Sequence, residues 1–393
     1  MEFSEAQVST HLKKTMLRLT TVPVFVYWRT MQHFQVLSRP TFTPSFNQVE
    51  NKLTVDSFHQ HSVDVQKIRK LKGWVLFQSP AYVDNIAALL QDLGANREVI
   101  ARVLEQYPEA VLCSPEEVKA HTDLWMSICL NKEELLGIIT MFPASFFSIN
   151  HYMNQKANIQ YFQSMNMNKR IIRKLMATAP QSFCNPVEKN HEMISTLKET
   201  YLSLGGSENN MNIWLQKLIN QNPFILLKPP GLVRDNMKFL QDRGFLSTEI
   251  LLLVSKLKGF ITEGNSSSMQ AALEYSQEVL QCSQNEMKEI ILKCPSIIYY
   301  SVSTLAERFN GLLKAGISLS QIKSTPTILE LTTQILLYRI QKLQSCGYDI
   351  KTGSLQDVNG TKKDFEMSYS KLQLRKERPV FNPVVPLKIN NDQ

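Results

Sequence analysis

Proline recurs at a regular interval along this chain, in the same local setting each time. An apolar residue lies four positions before the proline and another lies three positions after it, as Leu104 and Val111 do around Pro108. The prolines with this setting are Pro108, Pro143, Pro180, Pro223, Pro295 and Pro326. Their successive spacings are 35, 37, 43, 72 and 31 residues. An interval of this size is typical of a supersecondary unit that repeats along an array.

The longest interval, 72 residues, is twice 36, so a further unit is expected at its midpoint. The string Ser255-Lys-Leu-Lys-Gly-Phe-Ile-Thr262 lies there, with Gly259 in the place of the proline. A unit before Pro108 should centre near residue 73, where Arg69-Lys-Leu-Lys-Gly-Trp-Val-Leu76 repeats the Lys-Leu-Lys-Gly string. Nearly identical text at two expected positions indicates eight units.

Each unit reads as two helices joined at a bend. The residues before the proline have helical spacing, as in Ile172, Leu175 and Met176, and the proline then ends that helix. Two strings are typical of a helix N-terminus with proline at the first position: Ser114-Pro-Glu-Glu117 and Asn185-Pro-Val-Glu188. Glycines are expected to end helices at Gly94, Gly244, Gly316 and Gly347. Since one unit cannot bury its apolar stripes alone, we predict an all-α superhelical solenoid of about eight stacked repeats.

The N-terminal region predicts an import signal. No Asp or Glu occurs between Ala6 and Val49, while basic, hydroxyl and aromatic residues are interspersed there. This composition is typical of a mitochondrial transit peptide, and an ordinary disordered basic tail is the alternative. The predicted organisation is a transit peptide or disordered segment at 1–40, a linker at 41–62, the repeat solenoid at 63–350 and a basic C-terminal segment at 351–393.

Composition narrows the function classes. The formal net charge of +8 permits binding to nucleic acid or to an anionic membrane surface, and selects neither. The six cysteines form no CxxC pair, which favours reduced, buried thiols over a disulfide frame or a zinc site. No apolar run is long enough to predict a membrane span. The sequence also lacks the phosphate-binding, zinc-protease and nucleophile-elbow motifs, so we expect no enzymatic activity, no cofactor and no metal.

Basic clusters are the candidate binding residues. One set is expected on a single side of a helix, opposite its apolar stripe: Lys169, Arg170, Arg173 and Lys174. A second set points around its helix: Lys67, Arg69, Lys70 and Lys72. A third pair lies in the C-terminal segment: Lys362 and Lys363. Such groups suit phosphates, although a solvated helix face is the ordinary alternative. Four aromatic residues could stack on bases, with core packing favoured for each: Phe224, Trp74, Trp125 and Trp214.

The repeat resembles that of the mitochondrial transcription termination factor family. The strings that carry the resemblance include Tyr107-Pro-Glu-Ala-Val111, Phe142-Pro-Ala-Ser-Phe-Phe147, Asn222-Pro-Phe-Ile-Leu226 and Cys294-Pro-Ser-Ile-Ile298. The resemblance implies a left-handed helical solenoid with two α-helices and a short 3₁₀ turn in each unit. It also implies a basic concave side for double-stranded mitochondrial DNA, a location in the matrix nucleoid, and a role in transcription.

One departure from the family pattern bears on specificity. The resemblance implies arginines around the proline turns of site-specific terminators, and the matching positions here are Met141, Ser148, Gln181 and Asp364. We therefore expect a monomeric protein that regulates mitochondrial transcription and binds duplex DNA mainly through backbone phosphates. The alternatives are a ribosomal-RNA-binding factor in mitochondrial ribosome assembly, and a scaffold for nucleoid or transcription proteins.

Overall fold

The computed structural model describes residues 49–79, 81–256, 262 and 264–377. Contacts divide the chain into two units, Met1–Lys52 and Leu53–Gln393, and the description below concerns the second. The predicted transit peptide, the predicted bend at Gly259 and the tail after Glu377 lie outside the described residues.

Each repeat consists of two helices followed by a short helical turn. The first helices are α1 Lys52–Gln60, α3 Val83–Asp92, α5 Pro115–Met126, α7 Tyr152–Ser164, α9 Val187–Ser203, α11 Gly231–Asp242, α13 Ser266–Leu280 and α15 Val302–Lys314. The second helices are α2 Val65–Lys72, α4 Arg97–Gln106, α6 Lys132–Met141, α8 Lys169–Thr178, α10 Glu208–Gln221, α12 Ser247–Lys256, α14 Gln284–Lys293 and α16 Leu319–Ser324. An incomplete ninth unit follows, with α17 Thr333–Gln344, the 3₁₀ turn Leu355–Asp357 and α18 Lys362–Glu377.

The turns lie where the prolines and the first glycine predict them. They are Gly73–Phe77, Pro108–Leu112, Pro143–Phe147, Gln181–Cys184, Pro223–Leu227, Pro295–Tyr299 and Pro326–Glu330. Pro143–Phe147 and Gln181–Cys184 are single α-helical turns, and the other five are 3₁₀ turns, as is the extra turn Ile149–His151. The described ranges contain helices and turns and no β-strand, so the predicted all-α repeat fold is confirmed.

Each proline ends the helix before it through the backbone of the preceding residue. Tyr107 has φ −139° and ψ 76°, and Phe142 has φ −138° and ψ 59°, both outside the helical region. The proline ring excludes helical geometry from the residue before it, which accounts for the shared conformation. The predicted glycine ends are also confirmed, because Gly94, Gly244, Gly316 and Gly347 all have positive φ.

One predicted helix start is correct and the other is wrong. Ser114 caps α5 with the complete capping box, in which its side chain accepts from the Glu117 backbone N–H. The string beginning at Asn185 does not act in this way, because α9 begins at Val187 and has no side-chain cap. The Asn158 side chain donates to the Asn185 carbonyl oxygen over 2.7 Å, which keeps Asn185 at the extended end of the preceding turn.

Successive units stack through like elements. Each of the second helices α2, α4, α6 and α8 packs against the next one, and the first helices from α7 to α17 do the same. The core lies between these two rows of helices. All twelve apolar residues that flank the six prolines are buried, with at most 3% of their surface exposed: Leu104, Val111, Ile139, Phe146, Met176, Phe183, Ile219, Leu226, Ile291, Ile298, Ile322 and Leu329. Among the described helices, none is long and apolar enough to cross a membrane.

Candidate nucleic-acid interface

The first turn of α8 presents two cations to solvent. Lys169 and Arg170 are exposed, while Ile172 and Leu175 on the opposite side of the helix are buried. The Asn168 side chain accepts from the Arg170 backbone N–H and fixes the start of the helix. Within the described ranges, neither cationic side chain forms an ion pair or a hydrogen bond. Both charges are therefore available to a ligand.

The other two cations of α8 connect neighbouring units. Arg173 Nε lies 3.7 Å from the Glu134 carboxylate on α6, and both side chains are partly exposed. Lys174 Nζ donates to the Asn220 carbonyl oxygen at the end of α10 over 2.5 Å. The four predicted residues do share one helix, and they divide into an outward pair and a pair that bridges to α6 and α10.

The cations of α2 divide in a similar way. Lys67 Nζ lies 2.8 Å from Glu105 Oε2 on α4, and this hydrogen bond raises the pKa of Lys67 above its ordinary value. Lys72 pairs with Glu109, which lies in the turn after α4. Arg69 and Lys70 are exposed. The structure thus assigns two cations of this set to contacts between the first and second units.

Equivalent positions in neighbouring units reveal cations that composition alone did not single out. Arg102 on α4 and Lys217 on α10 each lie six residues before a turn proline, as Lys174 does, and Lys67 lies six residues before Gly73. We call Lys67, Arg102, Lys174 and Lys217 the basic row. Arg102 and Lys217 are exposed. Their distance from the proline is the sequence signal that would have identified them.

Two inter-helix contacts show how the basic row sits on the stacked second helices. Lys67 meets Glu105, three residues before Pro108, and Lys174 meets Asn220, three residues before Pro223. The same pair of repeat positions is therefore adjacent at both junctions. Between α2 and α4 the row also borders an open cleft that is lined by Lys67, Arg97, Arg102, Glu98 and Glu105.

The C-terminal pair lies on a different element. Lys362 and Lys363 are exposed in the first turn of α18, which packs against α17 in the incomplete ninth unit. Lys342 on α17 holds α18 in place, with its Nζ 3.2 Å from the Glu366 carboxylate and 4.2 Å from the Tyr369 ring centre. The pair therefore belongs to α18 rather than to the second helices that carry the basic row.

The aromatic residues lie mainly in or against the core. Trp125 is fully buried and donates from Nε1 to the Gln155 side-chain oxygen over 2.9 Å, which confirms its predicted core position. Trp74, Trp214 and Phe224 are half-buried and pack against core residues.

The cysteines are free thiols. Cys113, Cys129 and Cys294 are buried, and burial raises the pKa of each to about 12, which keeps these thiols protonated. In the portion of the chain that the structure describes, no group of three His, Cys, Asp or Glu side chains could hold a metal ion.

Comparison with known proteins agrees with the repeat architecture. The mTERF family model matches residues 57–366. Transcription termination factor 2, mitochondrial, of Homo sapiens is 49% identical over 340 residues, which cover 86% of this chain and 88% of that protein. The Mus musculus protein of the same name is 47% identical over 347 residues, covering 88% and 90%. Transcription termination factor 1, mitochondrial, of Rattus norvegicus is 28% identical over 331 residues, covering 82% and 87%. The chain belongs to the mTERF family of helical repeat solenoids.

Proposed function

We propose that this protein binds duplex DNA in mitochondria, through backbone phosphates and with little sequence specificity, and acts there in the regulation of transcription. The observation that carries the proposal is the pair of exposed cations Lys169 and Arg170 beside the basic row. Duplex DNA presents closely spaced phosphates, and each contact with a cation releases condensed counterions.

The position of this pair within its helix supports a role in binding. The N-terminus of a helix carries a partial positive charge, so cations in the first turn of α8 are placed unfavourably, by roughly 0.3–1 kcal/mol each. Asp and Glu are the residues that stabilise a first turn, and α8 has none there. An anionic ligand at Lys169 and Arg170 would offset this cost.

The names of the relatives support the cellular part of the proposal. The similar human, mouse and rat proteins are named mitochondrial transcription termination factors. We extend this to the present chain as a matrix protein of the nucleoid. The exposed candidate contacts are Lys and Arg side chains on helices, and these residues favour phosphate contacts in the absence of a base-reading geometry.

Competition binding across a salt series tests the proposal. Fluorescent duplexes of about 25 base pairs with unrelated sequences should bind with similar affinity, and the affinity should fall steeply from about 50 to about 200 mM salt. A strong preference for structured ribosomal RNA over these duplexes would support the ribosome-assembly alternative instead. Salt-insensitive capture of a matrix protein, without DNA binding, would support the scaffold alternative.

A further inference from the structure

Gly137 occupies the middle of α6 and is exposed. Glycine in the interior of a helix is unfavourable relative to alanine, because the unfolded chain has more backbone freedom to lose. A mid-helix glycine therefore usually answers a need for space at that point.

Nothing within the chain supplies such a need at Gly137. A Cβ atom added there would meet no other atom within 4 Å. Gly311 in α15 gives the contrast, because a Cβ added there would lie 2.6 Å from the Thr333 side chain of the next unit. The chain itself accounts for Gly311, and it leaves Gly137 without an internal reason.

The place of Gly137 in the repeat suggests what requires the space. Gly137 lies six residues before Pro143, which is the basic-row position of its unit. The second helices on either side of α6 carry Arg102 and Lys174 at this position. Glu133, one helical turn before Gly137, is exposed, so this face of α6 has no cation to hold a phosphate.

We infer that Gly137 is the point where the sugar-phosphate backbone of the nucleic acid comes closest to the protein. The cations on α4 and α8 would hold the backbone on either side, and the missing side chain on α6 would let it lie against the helix surface. Glycine permits such close approach of a ligand to protein backbone. This inference rests on the proposed function, and it adds a steric contact to an electrostatic one.

The substitution Gly137→Lys separates the two effects. Lysine is a good helix former and adds a positive charge to the row, so a purely electrostatic surface would bind duplex DNA more tightly. If the backbone lies against α6, the longer side chain blocks it, and we expect affinity for the same duplexes to fall by roughly tenfold. Gln160→Lys, at an exposed position on α7, adds the same charge away from the row and should change affinity by less than about twofold.

Thermal unfolding shows whether the variant is folded. Gly137→Lys and Gly137→Ala should both raise Tm, since each replaces a helix-interior glycine at an open position. Unchanged or tighter binding by Gly137→Lys, with normal binding by the wild-type protein, would overturn the close approach and leave the proposed function intact. A wild-type protein that fails to bind the duplexes would overturn both.

Discussion

Asn158 on α7 donates a hydrogen bond from Nδ2 to the carbonyl oxygen of Phe183 over 2.9 Å. This contact ties the first helix of the fourth unit to the turn that closes the same unit. The equivalent contact, to the third residue after the turn proline, recurs in two other units: His121 with Phe146, and Arg308 with Leu329. Because buried carbonyl groups need a partner, a polar side chain on the first helix is part of how these units close.

Replacing Asn158 should destabilise the fold substantially. The Asn158 amide also donates to the carbonyl oxygens of Asn154 and Asn185, so Asn158→Leu removes the donor from several buried or half-buried acceptors at once. We expect the free energy of unfolding to fall by about 3 kcal/mol, measured by urea denaturation. Asn209→Leu, at an exposed position on α10, should change it by less than about 0.5 kcal/mol. Equal effects of the two variants would contradict the clamp.

His121 should make stability depend on pH near neutrality. Burial lowers the pKa of the His121 imidazole below its ordinary value of 6.5, although the hydrogen bond to the Phe146 carbonyl opposes this. The folded state thus holds His121 neutral where the unfolded chain begins to protonate. Its contribution is complete above pH 6.5 and is lost as pH falls from 6.5 toward the lowered pKa.

The measurement is urea unfolding at about pH 7.5 and about pH 5.5, for the wild type and for His121→Gln. The free energy of unfolding of the wild type should fall at the lower pH, by at most about 1.4 kcal/mol per pH unit from this one group. His121→Gln should be less stable at the higher pH and should show a smaller fall. The same fall in both proteins would show that other groups are responsible.

Glu105 should restrain Lys67 from binding DNA. Its carboxylate lies 2.8 Å from Lys67 Nζ and adds a negative charge beside the basic row. Glu105→Gln should therefore tighten binding to duplex DNA by about two- to fivefold, which is the size expected for removing one nearby repulsive charge in water. Fluorescence anisotropy at fixed salt measures the change. Glu192→Gln, exposed on α9, makes the same charge change away from the row, and an equal gain there would mean that only net charge matters.

Much of the fold follows from local sequence. Proline forces a non-helical backbone on the residue before it, so Tyr107 and Phe142 end their helices wherever the chain is placed in space. Gly94 and Gly244 end helices because glycine readily adopts positive φ. These rules act over a few residues, and for that reason the periodicity of the bends was predictable along the chain.

The contacts between units were not predictable in this way. Lys174 and Asn220 are 46 residues apart, and only the stacking of α8 on α10 brings them together. The clamps use a different side chain in each unit, an imidazole, an amide or a guanidinium, so they leave no common sequence pattern. Asn185 shows the same limit, because a side chain from α7 holds its carbonyl and displaces the start of α9 from the position that the sequence favours.

The most direct test of phosphate binding at α8 is the salt dependence of the double variant Lys169→Glu, Arg170→Glu. If both cations contact phosphates, the slope of log affinity against log salt should be shallower than that of the wild type by about 2, since each contact contributes roughly 0.9. Affinity should fall to a similar extent for every duplex sequence. Unchanged affinity and slope in a variant with wild-type Tm would contradict the proposal that this face of α8 binds DNA.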